Sequence, residues 1–193
     1  MPRVRRGRGV AGLGPSLVRP WRFFLVLGGV LALAGGMLLV SSVLPTSSDE
    51  TIVIPEGPSH YYAYEVRILG SGRVSGSFED TSGRVVAAFV FSEAAYQWYA
   101  FIGAGTPISE VRGGAGTFDA TLPGSGTYYL VFAHPTWDDA ATQLVRVRVV
   151  FEGVKSGFVE VSGVLLVLGM LLAVHGARLR TKDAGRVGAS ALV

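Results

Sequence analysis

Two stretches of this chain are apolar without interruption, and the segment between them alternates. From Phe23 to Leu44, 22 residues pass without a charge. As a helix they would span about 33 Å, against about 30 Å for a bilayer's hydrocarbon core. Trp21 and Arg22 stand before this run and Pro45 ends it; an aromatic anchor and a snorkelling cation belong at such a boundary. The second run, Val161 to Ala177, has 17 residues and reaches about 25 Å, so Phe158 and Val159 or local thinning must make up its length. Both runs are apolar on every side, which disfavours a helix half-buried in a soluble core. The pattern predicts transmembrane helices over 23–44 and 157–177. A cleaved signal peptide is the competing reading of the first, with Val40-Ser41-Ser42 as the cleavage site. Signal h-regions run only about 7–15 residues, however.

Between the two runs apolar residues recur at every second position, the strand period. Tyr62, Tyr64, Val66 and Ile68 share one face and Glu65 and Arg67 the other. Gly70-Ser71-Gly72 reads as a turn, Val74–Phe78 as a second strand, and Thr81-Ser82-Gly83 as another turn. Arg84–Phe91 is almost wholly apolar, as a central strand would be. Ala95–Ile102 is aromatic-rich and fits a strand or a short helix. Thr117–Leu122 alternates cleanly, Thr127–Ala133 reads as a strand, and Leu144–Phe151 alternates with Val145, Val147, Val149 and Phe151 inward and Arg146 and Arg148 outward. Seven or eight short strands with Gly, Ser and Pro turns predict an all-β domain over 46–154, an antiparallel β-sandwich or jelly roll.

Charge divides along the same boundaries. Residues 1–22 hold six arginines and no acid, residues 46–160 have a net charge of −6, and residues 178–193 carry +3. The positive-inside rule therefore predicts basic tails 1–22 and 178–193 in the cytoplasm and the central domain outside the plasma membrane. An arginine-rich tail beside a membrane helix is expected to meet anionic lipid headgroups rather than nucleic acid. Cysteine and asparagine are absent, which excludes disulfides, thiolate metal ligands and Asn-linked glycosylation. Loss of thermolabile residues fits a thermophile; the excess of Arg over Lys fits a GC-rich genome equally well.

Gly28, Ala32 and Gly36 in the first helix, and Gly169, Ala173 and Ala177 in the second, stand four residues apart. Such stripes let backbones approach closely, so the helices are expected to pair with each other or with a partner.

The segment Gly126-Thr127-Tyr128-Tyr129-Leu130-Val131-Phe132-Ala133-His134, followed by the alternating Leu144–Phe151, resembles the late signature of the GOLD (Golgi dynamics) domain and its archaeal relatives. That signature is Gly-x-Tyr-x-Phe-Cys-Phe-x-Asn-like, and Gly126, Tyr128 and Phe132 match it. Val131 stands in place of a cysteine and His134 in place of asparagine. The family's coiled coil is missing, and its single helix is here two. The resemblance implies a luminal or external β-sandwich with a non-catalytic binding role.

No catalytic constellation is visible. The glycine clusters at 103–105, 113–116 and 124–126 lack the Gly-Lys-Ser/Thr of a phosphate loop, and there is no Gly-x-Ser-x-Gly elbow. His134 with Asp138 and Asp139 offers too few ligands for a metal, so a solvated acidic loop is expected there and no cofactor. His175 is expected at the cytoplasmic interface, a turn from Arg178. Exposed Tyr and Trp mark contact surfaces, which makes Tyr61, Trp98, His134, Trp137, Asp138 and Asp139 the candidate binding surface. The expected role is a non-enzymatic, membrane-anchored binding or assembly protein facing a protein or envelope partner. The alternative is an accessory subunit held in a larger membrane complex through its helices.

Overall fold

A computed structural model describes residues 19–57, 60–135 and 141–190. It contains α1 (Pro20–Val43), β1 (Thr46–Ile54), β2 (Tyr61–Asp80), β3 (Val86–Ser92), α2 (Glu93–Ile102), β4 (Ser109–Gly113), β5 (Ala115–Leu122), β6 (Gly126–Ala133), β7 (Gln143–Lys155) and α3 (Ser156–Ser190). Two helical stretches, Pro20–Val43 and Ser156–Asp183, are long and apolar enough to cross a membrane. The chain divides into two compact units, one of α1 up to Leu33 with α3 from Leu165, the other running from Ala34 to Val164.

The second unit is a seven-stranded antiparallel sheet in the order β1-β7-β2-β6-β3-β4, with β5 also paired to β2. The 20-residue β2 organises it. Its first part, Tyr61–Ile68, pairs with β6, and its second, Gly72–Glu79, pairs with β5. The exchange falls at Gly70-Ser71-Gly72, where the register against β7 shifts between Leu69 and Arg73 and Gly70 takes φ 75°. The glycines expected to reverse the chain instead bend one strand, as an irregular β-bulge does. The sheet thereby doubles over one core: the rings of Phe78 on β2 and Phe118 on β5 lie 5.9 and 6.0 Å from Phe132 on β6. Val145, Val147 and Val149 are buried as their alternation predicts, and Phe151 is half-buried.

The sequence reading missed two strands. β1 buries only Ile52 and Ile54, its first six residues being polar, and β4 has five residues of which Glu110 and Arg112 face solvent. Both are sheet edges, where packing imposes no clean alternation. The Thr81-Ser82-Gly83 turn is present, closed by Asp80, whose Oδ2 accepts hydrogen bonds from the backbone N–H of Ser82 and Arg84 at 3.1 and 2.8 Å. The turn before β6 is braced by Tyr128, which is buried and donates its hydroxyl hydrogen to the Gly124 carbonyl at 3.0 Å while accepting from the Gly124 N–H at 3.2 Å. This is a tyrosine corner. Tyr128→Phe, which keeps the ring, should destabilise the domain by about 1–2 kcal/mol in thermal melts, the cost of two lost hydrogen bonds in a buried setting.

In the unit formed by α1 and α3 the helices run antiparallel in contact. A Cβ added at Gly28 would lie 2.7 Å from the Gly169 carbonyl and 2.8 Å from the Ala173 nitrogen. One added at Gly169 would lie 2.7 Å from the Gly28 carbonyl and 2.8 Å from the Ala32 nitrogen. Gly28, Ala32, Gly169 and Ala173 thus form the seam. Gly36 and Ala177 lie off it: nothing stands within 4 Å of a Cβ at Gly36, and Ala177 is exposed. A step of four residues turns about 400°, so a spacing-four stripe winds off a straight contact within two steps, whereas seven residues turn about 700° and return to it. Gly35 and Gly176, seven beyond Gly28 and Gly169, are accordingly buried. The His175 ring stands edge-on to Phe24 at 5.0 Å, and Arg180 lies 5.5 Å from the Trp21 ring. α3 continues to Ser190, through most of the 178–193 segment expected as a separate tail.

Candidate functional site

Ala95–Ile102, which the sequence left between strand and helix, belongs to α2. Local signals decide it. Ser92 takes extended backbone and accepts a hydrogen bond from the Ala95 N–H, a standard helix N-cap. Gly103 closes the helix in the left-handed conformation, φ 71°, its N–H donating to the Tyr99 carbonyl. Between these ends α2 lies over the face of β3 and β6 that points away from the main core. Phe91, Val131 and Ala133 are buried beneath it, packed by Ala95, Tyr96 and Tyr99. Tyr96 stacks on Tyr129 at 3.8 Å and Tyr99 on Phe91 at 4.9 Å. The Tyr61 and Tyr96 hydroxyls are 3.2 Å apart. Burial, then the Tyr61 contact, pushes the Tyr96 and Tyr99 phenols above their ordinary range, so both stay neutral.

With Tyr96 and Tyr99 turned inward, the helix carries Trp98, Phe101 and Ile102 outward, and these are 61, 83 and 55% exposed. Positions three and four apart share a helix side, so the three form one apolar patch. Beside its C-terminal end a cavity of about 320 Å³ opens, bounded by His60, Tyr61, Tyr99, Phe101, Arg112 and His134. His134 is held by a contact of its Nε2 with the Pro55 carbonyl at 3.0 Å, and its enclosed Nδ1 has no partner among the described residues. Arg112 is paired with Glu110.

The structure thus brings Tyr61 and His134 to one cavity and places Trp98 on the adjoining helix. Tyr61 is half-buried under α2, so it serves more as wall than as contact surface. Trp137, Asp138 and Asp139 lie outside the described residues. Phe101, Ile102, His60 and Arg112 were not among the sequence candidates. Phe101 and Ile102 were legible only once the window was known to be helical, because a strand period puts different residues outward. Among the described residues no three His, Cys, Asp or Glu side chains converge to hold a metal ion. What the site offers is aromatic and aliphatic surface with two imidazoles and a guanidinium at its border.

No family model and no curated protein matches the chain. Among solved structures, the chain is similar to the periplasmic g-type lysozyme inhibitor PliG of Aeromonas hydrophila, at 15% identity over 58% of this chain and 90% of that one, with a TM-score of 0.40. A CBM36 domain of a xylanase from the hindgut metagenome of Trinervitermes trinervoides matches at 9% identity over 57% of this chain and 98% of its own, TM-score 0.37. The K3 adhesin domain of the Porphyromonas gingivalis Lys-gingipain matches at 12% over 54% and 72%, also with a TM-score of 0.37. Likenesses this distant assign neither a family nor an activity to the chain.

Proposed function

We propose that this chain is a non-enzymatic, membrane-anchored binding protein, whose external β-domain offers the outer face of α2 and the adjoining cavity to a protein partner. The observation that carries the reading is the exposed Trp98–Phe101–Ile102 patch on a helix whose other side, Ala95, Tyr96 and Tyr99, is half-buried against β3 and β6. Large apolar side chains clustered in water mark an interaction site, and partially exposed aromatics supply most of the energy at such sites. The domain's negative charge and the basic residues flanking both apolar helices support an external domain with cytoplasmic tails. The alternative, an accessory subunit held through its helices, has less to stand on, because Gly28 and Gly169 already meet each other.

Two measurements test the reading. A photo-crosslinker at position 98 should capture one protein partner from native membranes, and Phe101→Ser should weaken that association about tenfold, ~1.4 kcal/mol. Unchanged capture in the variant removes α2 as the contact surface. Protease added to intact cells should cut within 46–156 and spare the tails; cleavage of the N-terminal arginine segment instead inverts the topology.

A further inference from the structure

A second recess lies far from α2 in sequence, where the β-domain meets its own helix ends. β7 stops at Lys155, opposite Ile68 of β2. From there back to Tyr61, β2 is paired by β6 on one side and by no described strand on the other. α3 starts at the next residue, so its opening turns run along that unpaired edge, with the outer part of α1 beside them. The result is a niche of about 520 Å³. Its lining is mixed: Leu38, Phe158 and Val161 are apolar, Glu65, Arg67 and Lys155 are charged, and Lys155 Nζ lies 5.9 Å from the centre of the Phe158 ring.

The cations keep bonding capacity. Lys155 donates from Nζ to the Leu44 carbonyl at 2.7 Å and to Thr46 Oγ1, leaving one N–H. Arg67 uses Nε on Glu65 at 2.9 Å; its two terminal amino groups have no partner among the described residues, and its side chain is well exposed. Arg67, Lys155 and Glu65 sum to one positive charge in a domain that is otherwise acidic.

Helix length sets the depth of this niche. The 24 residues of α1 and the 28 of Ser156–Asp183 are about 36 and 42 Å long, more than the roughly 30 Å hydrocarbon core. With both helices spanning, their outer ends would reach the headgroup layer, about 5–8 Å thick. Leu38 is five residues before the end of α1 and Val161 five after the start of α3, each about 8 Å inward. With both helices spanning, Leu38 and Val161 would lie where lipid chains begin, and Arg67, on the β-domain, would lie toward the phosphates.

We infer that this niche holds one anionic phospholipid of the outer leaflet, its phosphate on Arg67 and Lys155 and its hydrocarbon against Leu38, Phe158 and Val161. The inference rests on the reading that α1 and α3 span a bilayer. Charge-assisted bonds from a guanidinium to a phosphate supply the selectivity, and the one net positive charge matches one anionic headgroup.

The full-length protein, purified in mild detergent and given equal amounts of phosphatidylglycerol and phosphatidylcholine, should retain one phosphatidylglycerol in native mass spectrometry. Arg67→Gln should lower that retention about tenfold. Glu65→Gln, which releases the guanidinium, should raise it severalfold, so a folding defect in one variant does not decide the matter. Equal retention of both lipids, or no rise with Glu65→Gln, overturns the site. Full displacement by free glycerol phosphate overturns the lipid in favour of a small phosphate ligand. Vesicle flotation separates the two levels: a chain that floats with either lipid but retains neither loses only the niche assignment. One that fails to float loses the membrane reading and the niche with it.

Discussion

Replacing Phe132 by alanine is expected to destabilise the β-domain by about 4 kcal/mol, a large share of the roughly 5–15 kcal/mol that holds an ordinary domain folded. Phe132 has no exposed surface and sits where the doubled sheet closes. Its ring meets Tyr64 from the first part of β2, Phe78 from the second part, and Phe118 from β5, at 6.2, 5.9 and 6.0 Å. Removing it deletes a large transfer term and leaves a cavity between strands that cannot close without moving the β2 bend. Phe132→Leu keeps most of the volume and should cost less than half as much. Thermal unfolding followed by circular dichroism reads both. A loss below about 1.5 kcal/mol for the alanine variant would mean that the core repacks and that β2 is not held by this ring.

Gly76→Ala is the second large effect, about 3 kcal/mol. Gly76 stands opposite Phe118, and Phe78 opposite Gly116, in the β2–β5 pairing. Each phenylalanine lies over the glycine across from it: a Cβ at Gly76 would come 2.7 Å from Phe118 Cζ, and one at Gly116 would come 2.9 Å from Phe78 Cζ. The two positions nonetheless differ. At Gly76 the added carbon also meets the Arg148 carbonyl oxygen at 2.1 Å, and backbone in the β7 ladder cannot rotate aside. At Gly116 its nearest neighbours are side-chain atoms of Phe78 and Val111, which can shift. Gly116→Ala should therefore cost about 1 kcal/mol, a third of the Gly76 value. Equal losses at the two positions would show that the rings, rather than the β7 backbone, set the limit.

Both effects turn on how the two parts of β2 are placed, and here sequence and tertiary structure divide the work. Alternation identified β5 and β7 and the inward set Val145, Val147 and Val149, because a strand with one buried face must show the two-residue period. Continuous hydrophobicity identified both apolar helices, because an uncharged run of about 20 residues is too long for a strand and too apolar for a half-buried helix. The bend at Gly70-Ser71-Gly72 was not legible in the same way. Two glycines permit a reversal and a bulge equally, and the structure resolves the choice by pairing β6 with the first part of one strand and β5 with the second. The seam between α1 and α3 divides similarly. Small residues announced close approach, but only the packed pair shows Gly176 rather than Ala177 in contact, because the helical turn carries a spacing of four off the line.

The candidate site was the least legible part. Trp98 and Tyr61 could be picked out as aromatic, yet which aromatics face water depends on whether Ala95–Ile102 is helical. The cap at Ser92 and the left-handed Gly103 settle that locally, while burial against Phe91 and Val131 fixes which side of the helix turns inward. By itself the sequence determined the chain's hydrophobic architecture: two apolar helices, an alternating domain between them, and the charges at their borders. These follow from the solvent each segment must meet. Tertiary structure decided the single long β2, the exposed face of α2 and the niche beside Lys155, since each depends on which remote strand or helix occupies a neighbouring edge.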